Sequence, residues 1–186
     1  GVDGAILDAA VRLLGEVGYG ALTMEAVAAA AGVSKPTLYR RFGGRAPLVA
    51  AAFARLRVGG APAPTGDVRR DLVAQLRHAR AVLERVGMSL VGVCLAEADA
   101  HPDLIAALRA GSLQPGRRLV HDALAAARDR GELAAGADLE TAVEALVGAL
   151  YARRLAGDAP ADGWEERVVD LVLRGLAPTA DPAGPG

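Results

Sequence analysis

Apolar residues recur three and four positions apart along most of this chain. Ile6, Ala9, Ala10, Leu13, Leu14 and Val17 keep that spacing first and predict a helix from about Asp3 to Val17, stopped by Gly18 and Gly20. Thr23 is a good N-cap for a short second helix, with Glu25 in the first turn, where the helix dipole favours an anion. Gly32 is its natural end, because only glycine enters the left-handed region cheaply. Ser34 caps a third helix, which accepts Pro36 in its first turn because the amide there has no helical partner. That helix ends near Phe42, and Gly43-Gly44 turn the chain into a fourth helix reaching about Val58.

Residues 59–66, GGAPAPTG, form the one linker-like break. Five further amphipathic segments are expected at about 67–86, 88–100, 102–131 (bent at Pro115-Gly116), 138–156 and 162–176. No stretch alternates with period two over a strand's length, and Ala and Leu dominate, so the expected fold is all-α, with about nine helices. The division predicted is a helix-turn-helix head with its connecting helix over 1–58, a helical body over 67–177, and a disordered tail over 178–186.

Aromatic residues make up only 3% of the chain, so the core must be built of Ala, Leu and Val. One cysteine, Cys94, cannot form a disulfide within the chain, and there is neither a basic-then-apolar leader nor an uncharged run of 18 apolar residues. These features predict a soluble cytoplasmic protein with no membrane association. The net charge of −1 is unevenly placed. Six cations against four anions give residues 1–55 a charge of +2, leaving −3 for the rest. Lys35, Arg40, Arg41 and Arg45 lie in a stretch from Ser34 to Arg45 that contains no acid, the footprint of a nucleic-acid-reading module.

The strongest signal is residues 23–42, TMEAVAAAAGVSKPTLYRRF. Two helices that cross at a tight turn need a small residue at the contact and a glycine in the turn. Ala28, Gly32 and Leu38 fill these roles, and Val27, Val33 and Phe42 bury the pair against the first helix. This is the helix-turn-helix arrangement, whose second helix enters the major groove.

With Gly32-Val33-Ser34, Pro36-Thr37-Leu38-Tyr39, Phe42 and a basic residue at 45, the segment Thr23 to Leu48 resembles the N-terminal domain of TetR-family regulators. Arg130-Gly131-Glu132-Leu133 and Gly148-Ala149-Leu150-Tyr151 are similar to patterns in a subset of that family. The resemblance implies DNA contact at Thr23, Ser34, Lys35, Pro36, Thr37, Tyr39, Arg41 and Arg45, with Arg40 adding to the local field. The chemistry agrees. Thr23 and its helix N-terminus suit a phosphate, and Lys35, Thr37 and Arg41 suit base edges. Tyr39 offers either a hydroxyl to the backbone or a ring to the core, and Arg45 a forked phosphate clamp where the family commonly has Lys.

The resemblance further implies a homodimer on double-stranded operator DNA, released by a small-molecule effector. Expected pocket residues are Leu72, Gln75, Leu76, His78, Leu90, Cys94, Glu97, Leu108, His121 and Leu124, each equally explicable as core or surface. Val143, Leu146, Val147, Leu150, Val168 and Val172, on the last two helices, are expected at a two-fold interface. A ligand-independent dimer, or a helical interaction protein without an effector, are the alternatives. Neither a cofactor nor a metal is expected: Glu97 and His101 share a helix face only if the helix runs on through Pro102. No phosphate loop or hydrolase motif points to an enzyme.

Overall fold

The computed structural model describes residues 1–58, 62–157 and 161–178. The expected tail beyond Pro178 and the first part of the expected linker, 59–61, lie outside them. Among the described residues the fold is all helical, and no helix is long and apolar enough to cross a membrane. Ten α-helices are α1 (Val2–Ala21), α2 (Met24–Ala31), α3 (Lys35–Phe42), α4 (Arg45–Val58), α5 (Val68–Val86), α6 (Met88–Ala96), α7 (Pro102–Leu108), α8 (Gln114–Asp129), α9 (Leu139–Leu155) and α10 (Trp164–Gly175). A π-helical turn, Arg109–Leu113, joins α7 to α8, so these three run on as the single bent segment that the periodicity predicts. The distortion falls just before Pro115, which has no N–H to continue the ladder.

Helix ends follow local chemistry. The Thr23 hydroxyl accepts from the Ala26 amide at 3.1 Å and the Ser34 hydroxyl from the Thr37 amide at 3.3 Å, while Asp138 caps α9 through the Thr141 amide at 3.0 Å. Gly32 closes α2 in the left-handed region (φ 66°, ψ 31°), and the Val33 amide then reaches back to the Ala28 carbonyl at 3.0 Å. Helix α1 breaks at Gly18 (φ 75°, ψ 171°), where the glycine signal places its stop, and one further turn carries the chain to Ala21.

The chain forms two compact units. The first comprises residues 1–61 and 81–116, the second 62–80 and 117–186. The segment expected as one body, 67–177, therefore contributes to both. In the first unit α1 packs on α2, α4 and α6, and α4 packs on α7 and the π-helical turn. Its core holds Ile6, Leu14, Tyr19, Val27, Leu38, Leu48, Phe53, Leu90, Cys94 and Leu104, none more than 3% exposed. The contact of α4 with the π turn is closest at Gly111, where a Cβ would collide with the Ala50 carbonyl oxygen and come within 3.0 Å of the Phe53 Cβ.

In the second unit α5, α8, α9 and α10 bury Leu72, Leu76, Leu124, Leu139, Val143, Leu146 and Val169. Ion pairs tie α5 to α10. Arg69 grips Asp170 with two bonds at 2.6 and 3.0 Å, Arg80 meets the buried Glu165 at 2.6 Å, and Arg77 meets Glu166. Residues 62–66 are no free linker. The Asp71 carboxylate accepts the Thr65 amide at 2.8 Å, its hydroxyl at 2.6 Å and the Gly66 amide at 3.1 Å, folding this segment back onto α5.

Candidate nucleic-acid interface

Helix α3 sorts its residues by face. Leu38 is fully buried and Phe42 half-buried, whereas Lys35, Pro36, Tyr39, Arg40 and Arg41 are exposed and Thr37 is half-buried. Burying Leu38 is worth about 1.5–3 kcal/mol and fixes which side of α3 faces outward. Ala28, 4% exposed on α2, supplies the small contact expected at the crossing. Tyr39 is 42% exposed, so its hydroxyl remains available at the surface. The Thr37 and Ser34 hydroxyls lie 2.8 Å apart at the N-terminus of α3.

The sequence stretch free of acids is not free of them in space. Lys35 pairs with Glu25 of α2, which raises the ammonium pKa and lowers that of the carboxyl, and Arg41 pairs with Asp3 of α1. Lys35 also stands over the Tyr39 ring at 5.8 Å. Exposed pairs of this kind are worth about 0–1 kcal/mol, so a phosphate or a base edge can displace the acids.

Arg45 departs from its expected role as a phosphate clamp. Its guanidinium donates to the Tyr19 carbonyl at 2.9 Å and the Leu22 carbonyl at 3.3 Å, and lies 4.0 Å from the centre of the Tyr19 ring. Forked donors satisfy the orphan carbonyls at the end of α1, an internal task open to Arg because α4 starts beside that end. Around Tyr19 gather residues that no local signal announces. Its hydroxyl donates to Asp103, its ring meets His101 edge-on at 5.2 Å, and its amide and that of Gly20 donate to Glu97 at 2.9 and 3.0 Å. Burial, reinforced by Asp103, pushes the Tyr19 hydroxyl up to about 12, and the Tyr19 bond holds Asp103 below the ordinary carboxyl range.

The expected effector residues divide between the two units. Leu90, Cys94, Glu97 and Leu108 belong to the first, where Leu90 and Cys94 are core, Leu108 packs against it, and Glu97 is committed to the end of α1. Burial, with Glu97 adding to it, pushes the Cys94 thiol up to about 11, leaving it inert. Leu72, Gln75, Leu76, His78, His121 and Leu124 belong to the second. There Leu72, Leu76 and Leu124 are core, and His121 stands 3.6 Å from Asp122 and 4.0 Å from Glu140. Gln75 lines a cavity with Asp71, Asp122 and Arg130, three residues the sequence does not single out. Among the described residues no cluster of His, Cys, Asp and Glu is arranged to hold a metal.

The expected interface residues need correction. Val143, Leu146 and Leu150 are 1%, 2% and 6% exposed within a single chain, so their stripe is spent on the chain's own core. Val147, Val168 and Val172 are half-buried, and the outward apolar positions of α9 and α10 are Leu155 and Leu171, 74% and 65% exposed.

A small-residue crossing, a left-handed glycine turn and a capped helix with an exposed basic face define a helix-turn-helix DNA-binding protein. Comparison with known proteins agrees. Residues 6–52 match the family described as "Bacterial regulatory proteins, tetR family", and residues 62–172 match "Tetracyclin repressor-like, C-terminal domain". The chain belongs to the TetR family of transcriptional regulators. It is 35% identical over 176 residues to an HTH-type transcriptional regulator of Mycobacterium tuberculosis (strain ATCC 25618 / H37Rv), covering 92% of this chain and 86% of that one. It is 29% identical to the DNA-binding transcriptional repressor TetR of Mycobacteroides abscessus, covering 91% and 90% of the two chains. The solved structure of the TetR-family transcription regulator SCO0332 superposes with a TM-score of 0.70 at 34% identity, covering 95% of this chain and 99% of that one.

Proposed function

We propose that this DNA-binding transcriptional regulator is a cytoplasmic, homodimeric repressor of a palindromic operator, released by a small-molecule effector. The exposed face of α3, with Lys35, Thr37 and Arg41 held outward by the burial of Leu38, is the observation that carries the reading. Lys35 and Arg41 address guanine edges and Thr37 a thymine methyl, while Thr23, Ser34, Tyr39 and Arg40 hold the phosphates on either side. Pro36 sets the first turn of α3. Two heads must meet successive major grooves, roughly 34–36 Å apart, so an effector that favours another head spacing lowers operator affinity by linkage.

Dimerisation is supported by the exposed Leu155 and Leu171 on α9 and α10, and repression by the name of the Mycobacteroides relative. Selection from random duplexes should return paired half-sites with the symmetry of a dimer. No enriched pair would overturn the operator reading. In sedimentation, Leu171→Glu should give soluble monomer, and an unmodified protein that is monomeric at micromolar concentration would overturn the dimer.

A further inference from the structure

The second unit contains a cavity of about 330 Å³ between residues 62–66, α5 and α8. That volume suits a small organic molecule. Much of its wall is apolar, with Pro62 and Pro64 on one side and Leu119, 39% exposed, on the other.

Its polar groups share one character. Gln75 is 7% exposed, and its Nε2 donates to the Pro62 carbonyl at 3.4 Å, which fixes the orientation of the amide. Its Oε1 is buried and finds no partner in the protein, an acceptor left open. Asp71 already accepts three bonds from Thr65 and Gly66 and remains an anion, and Asp122 adds a second carboxylate. Arg130 is the one cation of the lining, and both oxygens of Glu132 take its guanidinium, at 2.6 and 3.2 Å. The bonding capacity left over is therefore acceptor capacity, with a net negative charge.

We propose that this cavity binds a small primary or secondary amine in its protonated form, the N–H groups donating to Gln75 and Asp122 and the apolar part lying against Pro62, Pro64 and Leu119. The lining has no aromatic ring, so a quaternary ammonium, which lacks N–H donors, would find neither bond nor ring face. The proposal rests on the effector reading above and gives that reading a site and a chemistry.

The test uses the full chain and millimolar primary amines from butylamine to phenethylamine. Benzyl alcohol, benzoate and benzyltrimethylammonium are the comparison ligands, with binding read by thermal shift and calorimetry. Amines should stabilise the protein by mass action while the comparison ligands do not. Gln75→Leu and Asp122→Asn should each weaken amine binding tenfold or more. Asp122 is exposed, so its variant keeps the fold even if the other does not. No binding by any amine, equal binding of benzoate or benzyl alcohol, or indifference to both substitutions would overturn the proposal. Operator affinity separates the two readings. Gln75-dependent amine binding that leaves operator affinity unchanged supports the site and overturns the amine as effector. Operator release by a compound insensitive to both substitutions supports an effector and overturns this site for it.

Discussion

Glu97, just past α6, accepts the amides of Tyr19 and Gly20 at 2.9 and 3.0 Å, at the broken end of α1. The contact explains why residue 18 is glycine. Its φ of 75° is strained for any L side chain, and a Cβ there would strike the Glu97 carboxylate. Charge-assisted bonds to backbone amides contribute about 1.5–3 kcal/mol. Glu97→Ala should lose about that much in denaturant unfolding, and Glu97→Gln, which keeps an acceptor, distinctly less.

Arg45 and Arg41 should respond differently to the same change. Arg45→Ala strips the end of α1 of donors, so it should lower the melting temperature and weaken every duplex alike through the head's stability. Arg41→Ala should leave melting nearly unchanged and cost about 1–3 kcal/mol at particular base pairs only. Affinities across a half-site library, set beside melting curves, separate the two.

The tight approach of Gly111 to α4 makes another sharp case. Gly111→Ala must push α4 away from the π turn or reshape the turn, and overpacking of this kind costs about 1–3 kcal/mol. The variant should unfold at lower denaturant, whereas Gly148→Ala, with open space around residue 148, should not.

Stability should fall at both ends of the pH scale. Asp71, Asp103 and Asp138 are held below the ordinary carboxyl range: burial opposes this at Asp71 but Thr65 and Gly66 donors outweigh it, Tyr19 acts on Asp103, and Thr141 acts on Asp138. Their stabilisation is present above roughly pH 4 and is lost as the pH falls below it. Tyr19 works in the opposite sense: its contribution is intact below about pH 10 and lost as the pH climbs towards about 12. Tyr19→Phe should flatten the alkaline limb and leave the acid one, as melting across the pH range would show.

What was legible in the sequence was local. Thr23, Gly32 and Ser34 act within four residues of themselves, so the turn between α2 and α3 and the outward face of α3 follow from spacing alone. Leu146 and Leu150 show the limit of periodicity. A stripe on α9 announces burial but not against what, and here its partner is the chain's own core. Glu97 lies 78 residues from Tyr19 in sequence, and no pattern at either position points to the other. Arg45 misled for a related reason: a guanidinium at the head of a helix suits a phosphate, and only the fold shows two carbonyls nearer to hand. Residues 62–66 were readable as a break, but their capture by Asp71, which roofs the cavity, was not.

The acids beside α3 bear on discrimination between DNA sequences. Glu25 and Asp3 are resident competitors for Lys35 and Arg41, and any DNA must displace them before those side chains can be used. A misplaced half-site offers little in exchange and meets two carboxylates that repel its phosphates, while a matched guanine repays the exchange with two aligned bonds. Neutralising a competitor should therefore move affinity and selectivity in opposite directions. Glu25→Gln should bind all duplexes more tightly and lose part of the gap between operator and random sequence, so this head trades strength of grip for sharpness of choice.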